Sequence, residues 1–468
     1  MTVPARQRKY HKDNTMGKLF GTDGIRGKAN SYPMTAETAL ALGRALALLK
    51  EITGYSGDGM PFVIIGKDTR ISGDMLVSAV AAGAASAGID VYLTGVIPTP
   101  GVALLTRKMS ALAGVVISAS HNPYEDNGIK LFKHDGHKLS AAMEQDLEQA
   151  MLSSDPQTPD TPYHGVGSIH DLPDAADQYR EFLISAAGYS DSPLDIRAVI
   201  DCSHGAASFI IPEIFGNEPA FQVIHHSPDG TNINRGCGSE HPLELAATVK
   251  NGNAQVGLAF DGDADRLIAV DEKGRIVSGD QLIAIFADHL SSCDTLKNNI
   301  VVTTVMSNVG LTEFLTGRGI THIKADVGDR NVVNDMIAHD AVLGGEDSGH
   351  LVLKSLHTTG DGILSALMLL TIMKKTGRPL SELASIMTVY PQVLENVAVK
   401  EKPPIHTIPE IRDVIGAVEG ELGSKGRVLV RYSGTQSMCR VMVEGPSKVR
   451  TEQACRRIAD VIQRILGG

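Results

Sequence analysis

Residues 61–93 read PFVIIGKDTRISGDMLVSAVAAGAASAGIDVYL, and this stretch contains the pattern that decides the fold. A short apolar run is followed by a polar loop, an alanine-rich stretch and a second apolar run, which is the order strand, loop, helix, strand. The same order begins again with IRAVID at 196–201 and NIVVTTV at 299–305. Strands that alternate with helices form βαβ units, so the sequence predicts three related α/β units with largely parallel sheets.

Two polar, proline-containing stretches, 153–167 and 400–409, interrupt this pattern and predict domain boundaries. After the second, strands predicted over 427–431 and 440–443 precede a helix over 447–466, which is typical of a small α+β domain. We therefore divide the chain into four domains. Residues 1–172, 173–273 and 274–390 are the mixed α/β domains, and residues 391–468 are the smaller α+β domain.

The composition excludes several classes of protein. Of 468 residues, 43% are hydrophobic and the formal net charge is −11, which argues against a nucleic-acid binder, because such a protein needs a basic surface. The longest nearly apolar run, 363–373, is far shorter than the roughly 20 residues of a membrane helix. No apolar segment follows the basic residues of the first 16, so a secretory signal is not predicted. The five cysteines form no closely spaced pair, which predicts neither a disulfide framework nor a zinc site and favours a cytoplasmic location.

Three carboxylates stand at alternate positions between two predicted strands. Asp261-Gly-Asp263-Ala-Asp265-Arg266 follows the apolar run 256–260. Such carboxylates repel one another unless a cation lies among them, and oxygen-only ligands favour Mg²⁺. A charged surface hairpin is the alternative that the spacing leaves open. A calcium loop of the EF-hand type is excluded, because Arg266 stands where that loop requires glycine and the flanks are strand-like.

A serine loop, Ser118-Ala-Ser120-His121-Asn122-Pro123, follows the strand predicted over 113–117. It lies at the end of a strand where open α/β sheets bind their ligands. Ser120 is therefore a candidate nucleophile or phosphate carrier, although these six residues alone fit an ordinary turn better. The loop lacks the GxSxG pattern of α/β-hydrolases. Lys130 follows closely enough to share this site, or is a solvated surface charge.

Three further loops combine glycine with groups that bind anions or hydroxyls. Residues 431–436, RYSGTQ, offer a guanidinium, hydroxyls and backbone amides to a phosphate, with a β-turn as the alternative. Residues 345–350, GEDSGH, suit the hydroxyls of a sugar, and residues 21–27, GTDGIRG, contribute an arginine. Together with the serine and carboxylate loops, these are the components of phosphoryl transfer. No GxxxxGK[ST] motif is present, so a nucleotide donor is not indicated.

In this order, the five motifs GTDGIRG, SASHNP, DGDADR, GEDSGH and RYSGT resemble those of the α-D-phosphohexomutase superfamily. The resemblance covers the chain from Leu19 to its C-terminus. It implies four α/β domains around a deep central cleft, with three related domains and a smaller fourth that closes over bound phosphate.

The resemblance also implies a role for each motif. Ser120 would be the phosphoserine, and Asp261, Asp263 and Asp265 would hold one Mg²⁺ together with a phosphate oxygen of that serine. The remaining assignments are Arg26 and Arg266 beside the transferring group, Lys130 as general base, His350 near the reacting hydroxyls, Glu346 and Ser348 on the sugar, and Arg431, Ser433, Gly434 and Thr435 on the non-reacting phosphate. We expect the pKa of Lys130 to be lowered by nearby Mg²⁺ and arginine.

The reaction implied is the interconversion of glucosamine 6-phosphate and glucosamine 1-phosphate through glucosamine 1,6-bisphosphate, on the path to UDP-N-acetylglucosamine. The glucosamine branch is favoured by GTDGIRG and by Val327-Gly-Asp329-Arg330, and the glucose and mannose branches are the alternative. Two alternative functions from other classes of protein are a phosphatase and an inactive phosphosugar-binding relative. A homodimer is expected.

Three positions, in two of the loops, depart from the superfamily pattern. Gln436 and Ser437 stand where Glu-Pro is common, and Asp347 stands where a neutral residue is more usual in the glucosamine branch. These departures leave the roles of Gln436 and Asp347 open.

Overall fold

The computed structural model describes residues 19–21, 23–55, 57, 60–153, 165–189, 196–216, 220–433 and 437–467. Within these residues the chain forms four β-sheets with helices between their strands.

The first sheet has six strands in mixed orientation. Its strands are β1 (Ile25–Lys28), β2 (Phe62–Lys67), β3 (Asp90–Val96), β4 (Ala113–Ile117), β5 (Asp126–Lys133) and β6 (Ile169–Asp171). The helices of this unit are α1 (Ala36–Ala45), α2 (Leu49–Ile52), α3 (Gly73–Ser86), α4 (Thr99–Lys108) and α5 (Ala141–Leu152). The spatial order is β1-β5-β4-β2-β3-β6. Strands β4, β2, β3 and β6 run parallel, whereas β5 runs antiparallel to both of its neighbours.

The second sheet repeats this plan with five strands. Its elements are α6 (Ala175–Ala186), β7 (Ala198–Asp201), α7 (Ala207–Phe215), β8 (Phe221–Ile224), α8 (Leu243–Asn251), β9 (Val256–Phe260), β10 (Leu267–Asp271) and β11 (Ile276–Val277). The spatial order is β11-β10-β9-β7-β8. Strands β9, β7 and β8 run parallel. Strand β10 pairs antiparallel with β9, and β11 pairs antiparallel with β10.

The third sheet has four strands. Its elements are α9 (Gly279–Ser292), β12 (Ile300–Thr304), α10 (Val309–Gly317), β13 (Thr321–Ala325), α11 (Asp329–Ala338), β14 (Leu343–Gly345), β15 (Leu351–Leu353), α12 (Gly362–Thr376) and α13 (Leu380–Ala384). In the order β13-β12-β14-β15 only β15 is antiparallel. Helix α12 contains the apolar run noted in the sequence. It begins where the Asp361 carboxylate accepts the Leu364 N–H at 2.9 Å, and it ends at Gly377, whose φ of 63° is left-handed.

The fourth sheet has three strands. Its elements are β16 (Gln392–Ala398), α14 (Pro409–Leu422), β17 (Arg427–Tyr432), β18 (Met438–Glu444) and α15 (Lys448–Leu466). The spatial order is β16-β18-β17, and both pairs are antiparallel.

The predicted architecture of three related mixed α/β units and a smaller α+β unit is confirmed. The fourth sheet is antiparallel, as is usual for the small α+β domain predicted there. The prediction of largely parallel sheets holds at the centres of the first three sheets, whereas β5, β10 and β15, toward one edge of each, pair antiparallel. The reason is local: after β4, β9 and β14 the chain turns straight back without a crossover helix, and such a connection can only pair antiparallel. The domain boundaries proposed from the sequence stay predictions.

Buried apolar side chains of the first three units form one continuous core, in which Val102, Phe260 and Leu367 belong to different units. The fourth unit has a core of its own, built around Ile411 and Ile458. Among the described helices, none combines the length and the apolar character needed to cross a bilayer.

Candidate active site

Ser120 lies just after β4, where the chain turns toward β5, and only 1% of its surface is exposed. Its φ of 52° is left-handed, a conformation that L-residues rarely adopt. The Oγ atom donates to Asp261 Oδ2 at 2.5 Å and lies 3.3 Å from His121 Nδ1. The hydroxyl therefore points toward the carboxylates of the second unit.

Arg70 holds the backbone of the serine loop, although the sequence analysis did not single it out. Its guanidinium is buried, lies 2.8 Å from Asp68 Oδ2, and donates to the carbonyls of Ser120 at 3.0 Å and Asn122 at 2.7 Å. Asn234 donates to the same two carbonyls. The sequence did contain a signal for this pair, because Asp68 and Arg70 directly follow the buried central strand β2.

Asp261, Asp263 and Asp265 lie in the loop between β9 and β10, and oxygens from all three lie within 4.8 Å of one another. At most 4% of each residue is exposed, so the surface hairpin that the sequence left open is wrong. Burial, together with the charges of Asp265 and Asp263, raises the pKa of Asp261 well above its usual range. Among the described residues, Asp263 Oδ1 and Asp265 Oδ1 are buried and find no hydrogen-bond partner. Buried carboxylate oxygens of this kind fit a hard divalent cation such as Mg²⁺.

Lys130 lies on β5 beneath these carboxylates and is 1% exposed. Its Nζ donates to Asp263 at 2.7 Å and to Asp265 at 3.2 Å, and Asp23 lies 3.6 Å away. Burial alone would lower the pKa of Lys130, but the three carboxylates outweigh it and raise this pKa well above its usual range. The attraction of these carboxylates exceeds the repulsion from Arg26, and the lowering expected from bound Mg²⁺ stays a prediction.

An ion-pair network joins the first and third units beside this site. Asp23 accepts hydrogen bonds from Arg26 and from Lys138, and Lys138 also donates to Asp329 at the start of α11. These cations, with Lys130, hold the pKa of Asp23 well below its usual range even though burial opposes this. Lys138 was missed by the sequence analysis, because nothing in its neighbourhood along the chain marks it.

The predicted sugar loop lies between β14 and β15. Glu346 Oε1 accepts the Gly328 N–H at 3.2 Å, and His350 Nε2 lies 3.7 Å from Asp329 Oδ2. Within the described part of the chain, Ser348 Oγ and His350 Nε2 are buried without a hydrogen-bond partner. The His350 ring packs so closely on Gly360 that a Cβ there would lie 2.4 Å from Nε2.

The three loops after β4, β9 and β14 meet at one cavity of about 760 Å³. Its lining includes six predicted site residues: Arg26, Ser120, Asp265, Arg266, Glu346 and His350. His121 also lines it, and burial together with Arg266 lowers the pKa of this histidine. His121 was quoted in the sequence motif but was not assigned to the site.

The predicted phosphate loop follows β17 in the fourth unit. Arg431 is half-buried on that strand, and the Ser433 carbonyl accepts a hydrogen bond from Lys402 at 2.6 Å. Gly434, Thr435 and the divergent Gln436 lie outside the described residues. None of the described residues of the fourth unit lines the 760 Å³ cavity, so the structure does not bring Arg431 and Ser433 together with Ser120.

The chain matches four models of the phosphoglucomutase/phosphomannomutase family in succession. Alpha/beta/alpha domain I of that family matches residues 17–158, domain II matches residues 177–274, and domain III matches residues 278–390. The C-terminal domain matches residues 394–461.

Similar proteins include phosphoglucosamine mutases from two bacteria. That of Syntrophus aciditrophicus (strain SB) is 50% identical over 97% of this chain and all of its own length. That of Desulforapulum autotrophicum is 51% identical over 96% of this chain and 99% of its own length.

Solved structures share the fold at lower identity. A phosphoglucomutase/phosphomannomutase family protein from Burkholderia thailandensis is 23% identical, with a TM-score of 0.77 over 96% of this chain and 97% of that one. Aspergillus fumigatus N-acetylphosphoglucosamine mutase, solved in complex with GlcNAc-6P and magnesium, is 16% identical, with a TM-score of 0.68 over 97% of each chain.

Proposed function

The chain belongs to the phosphoglucomutase/phosphomannomutase family, and from this membership we propose that it interconverts glucosamine 6-phosphate and glucosamine 1-phosphate. The observation that carries the proposal is the buried Ser120 hydroxyl, 2.5 Å from Asp261 at the wall of a cavity large enough for a phosphosugar. The choice of sugar is supported by relatives named phosphoglucosamine mutase, which are 50% and 51% identical over nearly the whole chain.

Asp261, Asp263 and Asp265 are the residues that would hold Mg²⁺, together with an oxygen of phosphorylated Ser120. The ion would neutralise charge on the phosphoryl group in the ground state and the transition state. The buried, unpartnered oxygens of Asp263 and Asp265 support this assignment.

The reaction has two transfers. In the first, O1 of glucosamine 6-phosphate attacks the phosphorus on Ser120, so that the O1–P bond forms, the Oγ–P bond breaks and glucosamine 1,6-bisphosphate results. In the second, after the intermediate has turned over in the cavity, Ser120 Oγ attacks the phosphorus on O6 and glucosamine 1-phosphate leaves. Arg26 and Arg266 line the cavity and would balance the negative charge of the moving group.

Proton transfer is assigned to Lys130, and His350 would contact the reacting hydroxyls. Lys130 must lose its proton before it accepts one from the sugar hydroxyl. Its carboxylate neighbours oppose that loss, so this role requires those contacts to loosen when phosphorylated Ser120 and substrate occupy the site. Glu346 and Ser348 would bind the sugar, and Glu346 would pair with the ammonium group of glucosamine.

The non-reacting phosphate is assigned to Arg431, Ser433, Gly434 and Thr435. Because none of the described residues of the fourth unit lines the cavity, this assignment requires that unit to close toward it. We further propose that the protein is a cytoplasmic homodimer, and sedimentation would give its mass in solution.

A side-by-side conversion assay tests the substrate. Glucosamine, glucose and mannose 6-phosphates are followed by phosphorus NMR with Mg²⁺ and a trace of the matching bisphosphate, which primes Ser120. Fastest formation of glucosamine 1-phosphate supports the proposal. Faster conversion of the glucose or mannose ester would instead favour phosphoglucomutase/phosphomannomutase activity, and release of inorganic phosphate alone would indicate a phosphatase.

Replacement of the phosphate carrier tests the mechanism. We expect Ser120→Ala to lower turnover by about 10⁴-fold or more, since the group that forms the covalent intermediate is gone. Ser385→Ala, on an exposed serine of the third unit, is the matched control and should keep full activity. Turnover retained in Ser120→Ala would contradict the two-transfer scheme.

A further inference from the structure

A second cluster of potential metal ligands lies in the second unit, outside the cavity. Asp201 ends β7, His225 directly follows β8, and Cys237 lies later in the same connection between β8 and α8. A carboxylate oxygen, an imidazole nitrogen and the thiol sulfur of these residues lie within 4.8 Å of one another. We propose that Asp201, His225 and Cys237 bind one Zn²⁺ ion, which fixes the segments that support the backbone of Ser120.

The orientation of the His225 ring points to a cation. Nδ1 is buried and lies 3.1 Å from Asp201 Oδ2, yet within the described residues it makes no hydrogen bond. The opposite nitrogen, Nε2, lies 3.5 Å from Glu244 Oε2, so each ring nitrogen faces a carboxylate, and Asp201 and Glu244 raise the pKa of His225. A metal ion between Nδ1 and Asp201 replaces the Nδ1 proton and leaves the Nε2 proton facing Glu244. Tetrahedral Zn²⁺ separates two such ligand atoms by roughly 3.4 Å.

Cys237 completes a donor set that zinc prefers. The residue is 1% exposed, and burial together with the charges of Asp201 and Glu244 raises the pKa of its thiol to about 12. A cation among these groups replaces the thiol proton, which passes to solvent as the metal binds. Sulfur, nitrogen and oxygen ligands together suit Zn²⁺, whereas Mg²⁺ prefers oxygen alone.

The carboxylate is already oriented and the site can be reached from solvent. Asp201 Oδ1 accepts the Ser203 N–H at 2.8 Å, and Oδ2 accepts the Gly238 N–H at 2.9 Å. These bonds fix the carboxylate before any metal arrives, which lowers the cost of binding. On the other side of the ring, the Glu244 side chain is 63% exposed and lies 3.5 Å from His225 Nε2, so the cluster borders on solvent there.

This cluster joins the two segments that support the serine loop from behind. The Asn234 N–H donates to the Ser203 carbonyl at 2.9 Å, and the Asn234 side chain donates to the Ser120 carbonyl at 2.8 Å. The Ala206 N–H donates to the Gly262 carbonyl at 2.8 Å, within the carboxylate loop. The sequence expectation of no zinc site considered only closely spaced cysteines, whereas this cluster joins the end of β7 to two residues of the connection between β8 and α8 that are 12 apart along the chain.

Cobalt binding tests the proposal without reference to catalysis. The full-length chain is stripped with a chelator and titrated with Co²⁺ in excess Mg²⁺, which occupies the all-oxygen cluster. We expect one Co²⁺ per chain and a near-ultraviolet band from thiolate-to-cobalt charge transfer, which oxygen ligands do not produce. Cys237→Ala and His225→Gln should each lose the band, whereas Cys293→Ala, on the exposed free thiol, and His226→Gln should keep it.

Thermal unfolding gives a second readout. Zn²⁺ should raise the Tm of the wild-type chain and leave the Tm of His225→Gln unchanged, because a ligand that binds only the folded state stabilises it. A wild-type chain with no charge-transfer band and no Zn²⁺-dependent Tm would overturn the proposal, leaving a protonated His225 paired with Asp201. A band that persists in Cys237→Ala would also overturn it. Neither result bears on the mutase reaction, which the phosphorus NMR assay measures independently.

Discussion

The guanidinium of Arg70 lies beneath the serine loop without access to water, so its charge depends on the groups that surround it. Arg70→Met would leave Asp68 buried without its partner and would free the carbonyl of Ser120. Breaking a buried ion pair from one side costs about 3–5 kcal/mol, and we expect a loss of this size in the free energy of unfolding. Urea denaturation measures it. Arg412→Met, at an exposed arginine paired only with Asp413, should change that free energy by less than about 0.5 kcal/mol, and equal losses in the two variants would contradict the argument.

Asp347, the acidic departure in the sugar loop, is exposed and lies beside the buried carboxyl group of Asp280. Burial and the charge of Asp347 raise the pKa of Asp280 to about 8, although the Asn308 amide donates to it at 2.6 Å. An aspartate in the unfolded chain ionises near pH 4. Between about pH 4 and pH 8 the folded chain therefore holds a proton that the unfolded chain has lost, and stability falls as the pH rises through this window.

Asp280→Asn removes that dependence. The variant should gain stability relative to the wild type as the pH rises within the window, by at most about 1.4 kcal/mol per pH unit. Urea denaturation of both proteins at a series of pH values gives this difference directly. Asp413→Asn, at an exposed residue, is the control and should give a difference that does not change with pH. A flat difference for Asp280→Asn would show that Asp280 titrates normally.

At this scale the motifs named the residues, and the fold supplies the contacts between them. The resemblance grouped Ser120 with Asp261, and the structure has their side chains hydrogen-bonded at 2.5 Å. The ion pairs of Lys130 were not predictable, because its neighbours Asp23 and Asp263 come from distant parts of the chain and only the fold sets their distances. Lys138 carries no sequence signal for the same reason.

Among the elements, the loops after β4, β9 and β14 share one position, between a parallel strand and the antiparallel strand that follows it. Strand positions could be predicted closely, as for β4 over 113–117, since apolar runs mark buried strands. Strand direction could not be predicted, because whether the next strand pairs parallel or antiparallel depends on how the loop folds and not on the periodicity of apolar residues. The sequence thus located the loops that carry the motifs, but not the antiparallel strands that follow them.

The loop after β7 crosses the carboxylate loop after β9 at Gly205. A Cβ at this position would lie 2.3 Å from the carbonyl oxygen of Gly262, inside the carboxylate loop. We expect Gly205→Ala to push that loop away, lowering mutase turnover and costing about 1–3 kcal/mol of stability. Both quantities are measured on the purified variant.

Gly416→Ala is the matched control for that substitution. Gly416 lies inside α14 and a Cβ there would meet nothing within 4 Å. Alanine is favoured over glycine in a helix, so this variant should be more stable by about 0.5–1 kcal/mol with unchanged turnover. Similar behaviour of the two variants would mean that the contact between Gly205 and Gly262 carries no special constraint.

At the scale of the whole molecule, the first three units are joined by a continuous core and the fourth is joined by polar contacts. Arg427 pairs with Glu444 at 2.7 Å and donates to the Val305 carbonyl at 2.5 Å, and Glu444 accepts the Val309 N–H at 2.8 Å. The sequence predicted a separate fourth unit from its strand–helix pattern. The sequence did not predict that the fourth unit would be attached by polar contacts, because the packing of the units determines which of their apolar faces are in contact.

Such an attachment allows the fourth unit to move as a body, and the proposed function requires that it does. The non-reacting phosphate must contact Arg431 while the other phosphate is at Ser120, yet none of the described fourth-unit residues lines the cavity. We expect glucosamine 6-phosphate to reduce the radius of gyration measured by X-ray scattering, as a hinged unit closes on its ligand. Arg431→Ala should abolish this compaction, whereas Arg412→Ala, on the exposed face of α14, should preserve it. If the wild-type radius does not change when substrate is saturating, the phosphate is bound elsewhere and the assignment of Arg431 is wrong.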